Sequence, residues 1–404
     1  MSKPKATTPE ELGLMQGSPP GGDRLVTLDN WQSGPWNRWS YQHIGQVIPC
    51  SRIWCGDGSP SLLESDSRDV GRVEFEATDG SRTTVAELLE RTFSDGFVVL
   101  RGGRVVSEQY FNGMAPHARH LLQSVSKSLT GALAGALVAR GLLEPEQAVC
   151  HYVPELVGAF DGATVRQVLD MTTGTRFSED YDDPSSDIRR YEGAAGWRAA
   201  AGDTPGLFEY ITTLGNCRPH GGVFEYRSIL TDLLGWIIER ASGWPFTELM
   251  SELLWRPLGA EWDAEITVDR YGSPMTDGGI SVTLRDLARF GQMYARRGVA
   301  GGREVLPVSF VDDTRSGDSV CREAFARSDK AARYPRGHYR NQWWVPDPQR
   351  GVLLGAGIYG QYLYIDMTAD VVIAKLSTLP FALDLDISAD HVRAFAAITE
   401  ALAG

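Results

Sequence analysis

Ser124 and Lys127 stand three residues apart in Leu121-Leu-Gln-Ser124-Val-Ser-Lys127-Ser-Leu-Thr130, at the head of an apolar stretch that runs to Val138. Residues three apart on a helix share a face, so this spacing brings an amine within hydrogen-bond reach of a hydroxyl. A serine hydroxyl is a poor nucleophile until a base takes its proton, and lysine can be that base once burial draws its pKa toward neutrality. The apolar run after Lys127 is expected to supply the burial. Taken alone, the pair reads equally well as a helix serine beside a solvated lysine. The same spacing recurs in Ser2-Lys-Pro-Lys5, where the polar surroundings could not desolvate an amine. Lysine is otherwise scarce, with Lys3, Lys5, Lys127, Lys330 and Lys375 the only five among 39 basic residues. About a hundred residues later, Tyr226-Arg-Ser228 precedes a second apolar helix, Ile229 to Glu239. A phenol there can relay a proton between serine, leaving group and water. By itself it reads as a packed tyrosine, but both motifs in one chain favour a nucleophile with its base and relay.

These residues need elements to hold them. Phe97 to Leu100 and Val105 to Tyr110 are β-rich runs joined across Arg101-Gly-Gly-Arg104, which predicts a hairpin. Gln361 to Ile365 and Val371 to Leu376, around Asp366 to Asp370, predict a second, followed by an amphipathic helix over Ala389 to Leu402. Strands near both ends imply one antiparallel sheet. Helical spacing over Ser124 to Arg140, Val165 to Met171, Ile229 to Ala241 and Thr283 to Arg297 fills the middle. The fold class expected is α+β: an antiparallel sheet flanked by helices, with a mostly helical inserted domain. The division expected is a flexible tail over 1–23, a sheet domain over 24–145 plus 275–404, and a helical domain over 146–274.

Composition narrows the chemistry. A chain of 404 residues, 42% hydrophobic and 23% charged, can bury one large core or two moderate ones. Its net charge of −13 repels phosphate backbones and anionic membranes and attracts amines, so no nucleic-acid partner is expected. Cys50, Cys55, Cys150, Cys217 and Cys321 are odd in number and scattered, the pattern of reduced thiols in a cytoplasmic protein. The first residues are polar, with no apolar h-region, so no signal peptide is expected among them, and the run Leu129 to Val138 is too short to cross a bilayer. G-x-S-x-G, Walker A and H-E-x-x-H signatures are absent. His117 and His120 form an isolated H-x-x-H, read as surface or capping residues rather than a metal site. Gly355-Ala-Gly357-Ile-Tyr-Gly360 matches a dinucleotide fingerprint in letters only, because a strand-like run follows where a helix is required. No cofactor or metal is expected.

S-x-x-K opening a helix, Y-x-S further on and a glycine-rich strand near the C-terminus resemble the serine β-lactamase and penicillin-binding-protein superfamily. Within it the chain resembles the 6-aminohexanoate-dimer hydrolases, or nylon-oligomer hydrolases, from about Thr27 to Pro380. The residues that carry the likeness are Thr27-Leu-Asp-Asn-Trp31, Asn37-Arg-Trp39, Ser124-Val-Ser-Lys-Ser128, Val168-Leu-Asp-Met171, Glu179-Asp-Tyr181, Ala195-Gly-Trp197, Gly278-Gly279, Arg285-Asp-Leu-Ala-Arg289, Gln342-Trp-Trp344 and Gly360-Gln361. The resemblance implies a β-lactamase/DD-peptidase-like fold with Ser124 as nucleophile, Lys127 as base and Tyr226 as relay. It implies an oxyanion hole of the Ser124 and Ile358 amides, Tyr181 on the nitrogen of the scissile amide, and Glu192 as the carboxylate for a substrate ammonium.

Departures matter too. Gly355-Ala-Gly357 stands where lactamases carry Lys-Thr-Gly, which removes the cation that grips a β-lactam carboxylate. Asp277 stands where the nylon-oligomer hydrolases have His or Asn, on the leaving-group side. Trp343 and Trp344 read as walls of an apolar acyl pocket or as strand core. The function expected is a serine hydrolase of short linear amino-terminated oligoamides, with esterase side activity. The alternatives are a carboxylesterase of the β-lactamase-like type, or an inactive relative that binds a peptide or cell-wall fragment. The partner expected is a small amide or ester, with neither membrane nor nucleic acid, and a homodimer is admitted without being required.

Overall fold

The computed structural model describes residues 7–199 and 204–403. Seven antiparallel strands form the main sheet: β1 (Ser94–Arg101), β2 (Arg104–Tyr110), β3 (His338–Arg340), β4 (Trp343–Asp347), β5 (Val352–Gly357), β6 (Gln361–Asp366) and β7 (Val371–Ser377). Their spatial order is β3-β4-β5-β6-β7-β1-β2. Both expected hairpins are present, and they join where β7 pairs with β1, Val371 opposite Arg101 and Lys375 opposite Phe97. β1 is apolar without alternation because both faces are covered. Val98 and Leu100 enter the larger core, whereas Phe97 and Val99 enter a second core on the opposite face, with Ala394, Phe395 and Ile398 of the closing helix. That helix runs over Leu385–Ala403, a turn longer at its start than expected.

Three helices on the larger core support the site: α1 (Ser126–Val138), α2 (Ile229–Ser242) and α3 (Leu284–Ala295). α1 is buried from Ser126 to Leu137, so its sequence is small and apolar on every side rather than amphipathic. Its glycines set how closely it packs. A Cβ on Gly131 would lie 2.4 Å from the Asn341 carbonyl oxygen, and one on Gly135 would lie 2.6 Å from the Phe310 ring. α3 is capped by Thr283, whose hydroxyl accepts from Asp286 N.

A second sheet, absent from the sequence reading, contains Cys50–Ile53, Ala264–Thr267, Ile280–Thr283 and Arg119–Leu121 in that order. Arg119–Leu121 leads directly into the Ser124 turn and pairs with Ile280–Thr283, which follows Asp277-Gly278-Gly279. This short ladder carries two distant loops to one place.

Two further expectations need correction. Residues 7–23, read as a flexible tail, lie against the body: Leu14 is buried, Arg38 Nε donates to the Thr7 carbonyl, and Trp36 Nε1 donates to the Asp23 carbonyl. Residues 1–6, with Ser2 and Lys5, lie outside the described residues. His117 is exposed as expected, but His120 is fully buried, with Nε2 3.0 Å from Asp95 Oδ2 while Arg38 Nη1 holds Oδ1 at 2.9 Å. Among the described residues no helix is long and apolar enough to cross a membrane.

Replacing Gly131 by Ala drives a methyl into backbone that cannot rotate away. The expected cost is about 1–3 kcal/mol, as for other overpacked cores. It is read as a lowered Tm in thermal unfolding, and an unchanged Tm would show that α1 can move off the β3–β4 turn.

Candidate active site

Ser124 sits in a single 3-10 turn, Gln123–Val125, between the Arg119–Leu121 strand and α1. Gln123 adopts a positive φ of 48° there, and its Nε2 donates to the Tyr41 hydroxyl at 2.7 Å. The turn is locked from both sides, since Leu122 N donates to the Ile280 carbonyl at 2.9 Å and Ile280 N donates to Ser126 Oγ at 3.2 Å. Ser124 is thereby presented half-exposed on an otherwise buried segment.

Lys127, one turn on, is 1% exposed. Its Nζ donates to Ser124 Oγ at 2.9 Å and to the Asp277 carbonyl at 2.9 Å, and lies 3.3 Å from Asp277 Oδ2. The Tyr226 ring centroid is 5.2 Å from Nζ. The expected pair and the distant tyrosine therefore meet. Trp344 stands behind Tyr226, stacked on it at 5.3 Å with 19° between the planes, and Tyr339 meets both edge-on. Trp343 points the other way along β4 into Phe290 and Tyr294, so it belongs to the core and not to a pocket wall.

The charge state of Lys127 differs from the expectation. Burial pushes its pKa down, but the acidic groups Tyr226, Asp277, Glu179 and Asp232 together outweigh burial and the pKa ends above the ordinary lysine value. The Tyr226 phenol is also raised, by burial first, although Lys127 and Ser124 pull it back. Lys127 is therefore an ammonium at neutral pH.

Two of the carboxylates around it were not singled out as site residues. Glu179 Oε2 accepts from Ser228 N at 2.6 Å, and its Oε1 accepts from Ser228 Oγ at 2.6 Å and from the Tyr181 hydroxyl at 3.1 Å. Burial raises its pKa against the pull of Lys127 and Ser228. Asp232, on α2, accepts from Thr276 N at 2.6 Å and Asp277 N at 3.1 Å, and so holds the loop that carries Asp277. Burial and the neighbouring Asp277 raise its pKa well above the ordinary value. The visible signal was a lone acid inside the apolar run Ile229-Leu-Thr-Asp-Leu-Leu. Asp277 itself lies beside the base as well as in its expected loop.

Ile358 follows the end of β5. A Cβ on Gly357 would lie 2.8 Å from the Leu122 carbonyl oxygen and 3.0 Å from Gln123 Cβ, so glycine there lets β5 abut the nucleophile turn. A Cβ at Gly355 would lie 3.3 Å from Val125 Cγ1 and 3.5 Å from Ser128 Oγ, so this position of β5 also packs closely on the start of α1. As anticipated, the Gly355–Gly360 segment is a strand, one 3-10 turn and another strand rather than a dinucleotide loop.

Glu192 departs most from its expected role. It is buried and already paired, with Arg189 Nη1 at 2.8 and 3.1 Å and with Arg198 Nε in a shorter contact. Arg189 also donates from Nε to the Tyr181 carbonyl at 3.1 Å and lies over the Tyr181 ring. The carboxylate is not standing free for a substrate ammonium. The arginines were visible three residues before it and six after, at helix and turn spacing. Among the described residues no cluster of three His, Cys, Asp or Glu side chains could hold a metal ion.

Comparison with known proteins agrees with this architecture. The β-lactamase family model matches residues 82–398. Over 358 residues the chain is 42% identical to a 6-aminohexanoate-dimer hydrolase of Paenarthrobacter ureafaciens, covering 88% of each. A solved structure named for a candidate 6-aminohexanoate-dimer hydrolase of Bacillus anthracis superposes with a TM-score of 0.85 at 27% identity, over 94% of this chain and 98% of that one. EstCE1, a hydrolase with promiscuous acyltransferase activity, shares the fold with a TM-score of 0.59 at 16% identity, over 79% of this chain and 98% of that one. With its S-x-x-K turn, buried amine and a glycine strand abutting that turn, the chain belongs to the β-lactamase family of serine hydrolases.

Proposed function

We propose that the protein hydrolyses the amide bond of short linear amino-terminated oligoamides, of the 6-aminohexanoate-dimer kind, through an acyl-enzyme on Ser124, with esters as side substrates. The observation that carries this reading is the 2.9 Å hydrogen bond from buried Lys127 Nζ to the half-exposed Ser124 Oγ. The relative named for that dimer, at 42% identity, supports the substrate class.

The competent state is the one in which the Lys127–Tyr226 pair has lost one proton. Ser124 Oγ attacks the carbonyl carbon and its proton passes to that pair, while the Ser124 and Ile358 amides receive the developing oxyanion. With its own hydrogen committed to Glu179, the Tyr181 oxygen is left to accept the scissile N–H. The C–N bond then breaks, and the departing amine takes a proton from the pair. Water attacks the acyl-enzyme as its proton passes to the same pair, and the pair gives a proton to Ser124 Oγ as the ester C–O bond breaks, which releases the acid and restores Ser124 and the pair. A carboxylesterase is the second reading, and the pairing of Glu192 with two arginines is what favours it.

Amine release from the linear 6-aminohexanoate dimer, measured beside a p-nitrophenyl ester, separates the two. The expected result is release of amine that falls by about six orders of magnitude in Ser124→Ala while the fold is retained. Ester cleavage without amine release would make the protein an esterase. The pH dependence follows from the raised pKa values of Lys127 and Tyr226. A base with a raised pKa is free only at higher pH, so kcat/KM should still be climbing at about pH 8, whereas a plateau by about pH 6 would contradict it. Asp277→Asn removes the charge 3.3 Å from Nζ and should move that climb to lower pH.

A further inference from the structure

Glu192 carries two arginines that differ in how they are held. Arg189 is built in: its side chain is 15% exposed, lies 5.3 Å over the Tyr181 ring, and donates to the Tyr181 carbonyl as well as to Glu192. Arg198 is 42% exposed and donates to Glu192 and, at 3.4 Å, to Gln32 Oε1. Gln32 in turn sits 3.5 Å from the same carboxylate. Glu192 itself is 3% exposed, and Arg198 is the more exposed of the two cations against it.

This group borders the reaction centre. Tyr359, next to Ile358, feels the charges of Glu192, Arg189 and Arg198. Trp197, whose neighbour is Arg198, lies where a Cβ on Gly278 would touch its ring at 3.4 Å, and Gly278 adjoins Asp277. Two guanidinium groups against one carboxylate leave one positive charge in excess. An exposed guanidinium in a single-sided ion pair is weakly held, because solvent screens it and its side-chain entropy opposes it. An ammonium of the substrate offers the same charge in a smaller volume.

We infer that Arg198 is a specificity-determining residue: it occupies the face of Glu192 that a substrate ammonium takes, and the ammonium binds by exchanging with it. Arg189 stays and keeps Glu192 oriented. The arginine thus taxes cationic acyl chains and favours uncharged ones, which sets how strictly the site demands a free amino terminus. The inference rests on the proposed acyl transfer to Ser124 but not on the amide being the bond cleaved.

Matched esters test it: p-nitrophenyl 6-aminohexanoate against p-nitrophenyl hexanoate, compared as the ratio of their kcat/KM values. Arg198→Gln should raise the ratio by about tenfold in favour of the ammonium ester, chiefly through KM, because the competing cation is gone. Arg198→Lys should restore a ratio near that of the parent, and Glu192→Gln should lower it. A ratio that stays level or falls in Arg198→Gln overturns the assignment, as does a fall of both rates together without change in KM. Both probes are esters, so failure here and failure to cleave the amide are separately readable.

Discussion

The buried amine of Lys127 is the contact around which the site is organised. Removing an ammonium from water costs several kcal/mol, and a carboxylate 3.3 Å away returns roughly 5 kcal/mol at an effective dielectric near ~20. Those two magnitudes nearly cancel, so the more distant groups decide the outcome. Tyr226 first, then Glu179 and Asp232, tip the balance toward the charged form. The Lys127 amine is thereby favoured in its charged form. That state depends on a loop and two helices remaining in place: Asp232 on α2 holds the backbone of Thr276 and Asp277, and α1 carries the amine to them. Loss of any one of these leaves an uncompensated charge in the interior.

Close approach is the second constraint, and it depends on residues that contribute no chemistry. Gly131 lets α1 approach the β3–β4 turn, and Gly355 and Gly357 let β5 approach the Ser124 turn, at distances a side chain would crowd. The aromatic stack behind Tyr226 works in the opposite sense, filling space so that the phenol has one orientation. The reacting hydroxyl is thus held between a face made of absence and a face made of bulk.

Much of this was legible in the sequence. The two hairpins announced themselves through Arg101-Gly-Gly-Arg104 and through β-branched runs, because both signals are local. Ser124, Lys127 and Tyr226 were legible because their motifs open helices. The four-stranded second sheet was not, since Arg119–Leu121 has three residues and too short a period to detect, and its partners come from remote segments. The charge of Lys127 was misjudged for the same reason: burial is local and was anticipated, whereas Asp277 and Asp232 approach from far along the chain. Glu192 was a different kind of miss. Its partner Arg189 sits at helical spacing in the same segment, so the pairing could have been drawn from the letters alone.

The pairing of β7 with β1 has a consequence for how the molecule comes into being. A strand made early in synthesis is completed only by one made near the end, so during translation β1 has an open edge on the side that β7 will cover. Ser124 and Lys127 leave the ribosome long before Gly357 and Ile358 exist to close the turn against which they work. The nascent chain therefore carries the Ser124 turn without the strand that abuts it, and β1 with an open edge, until its last strands and final helix are released.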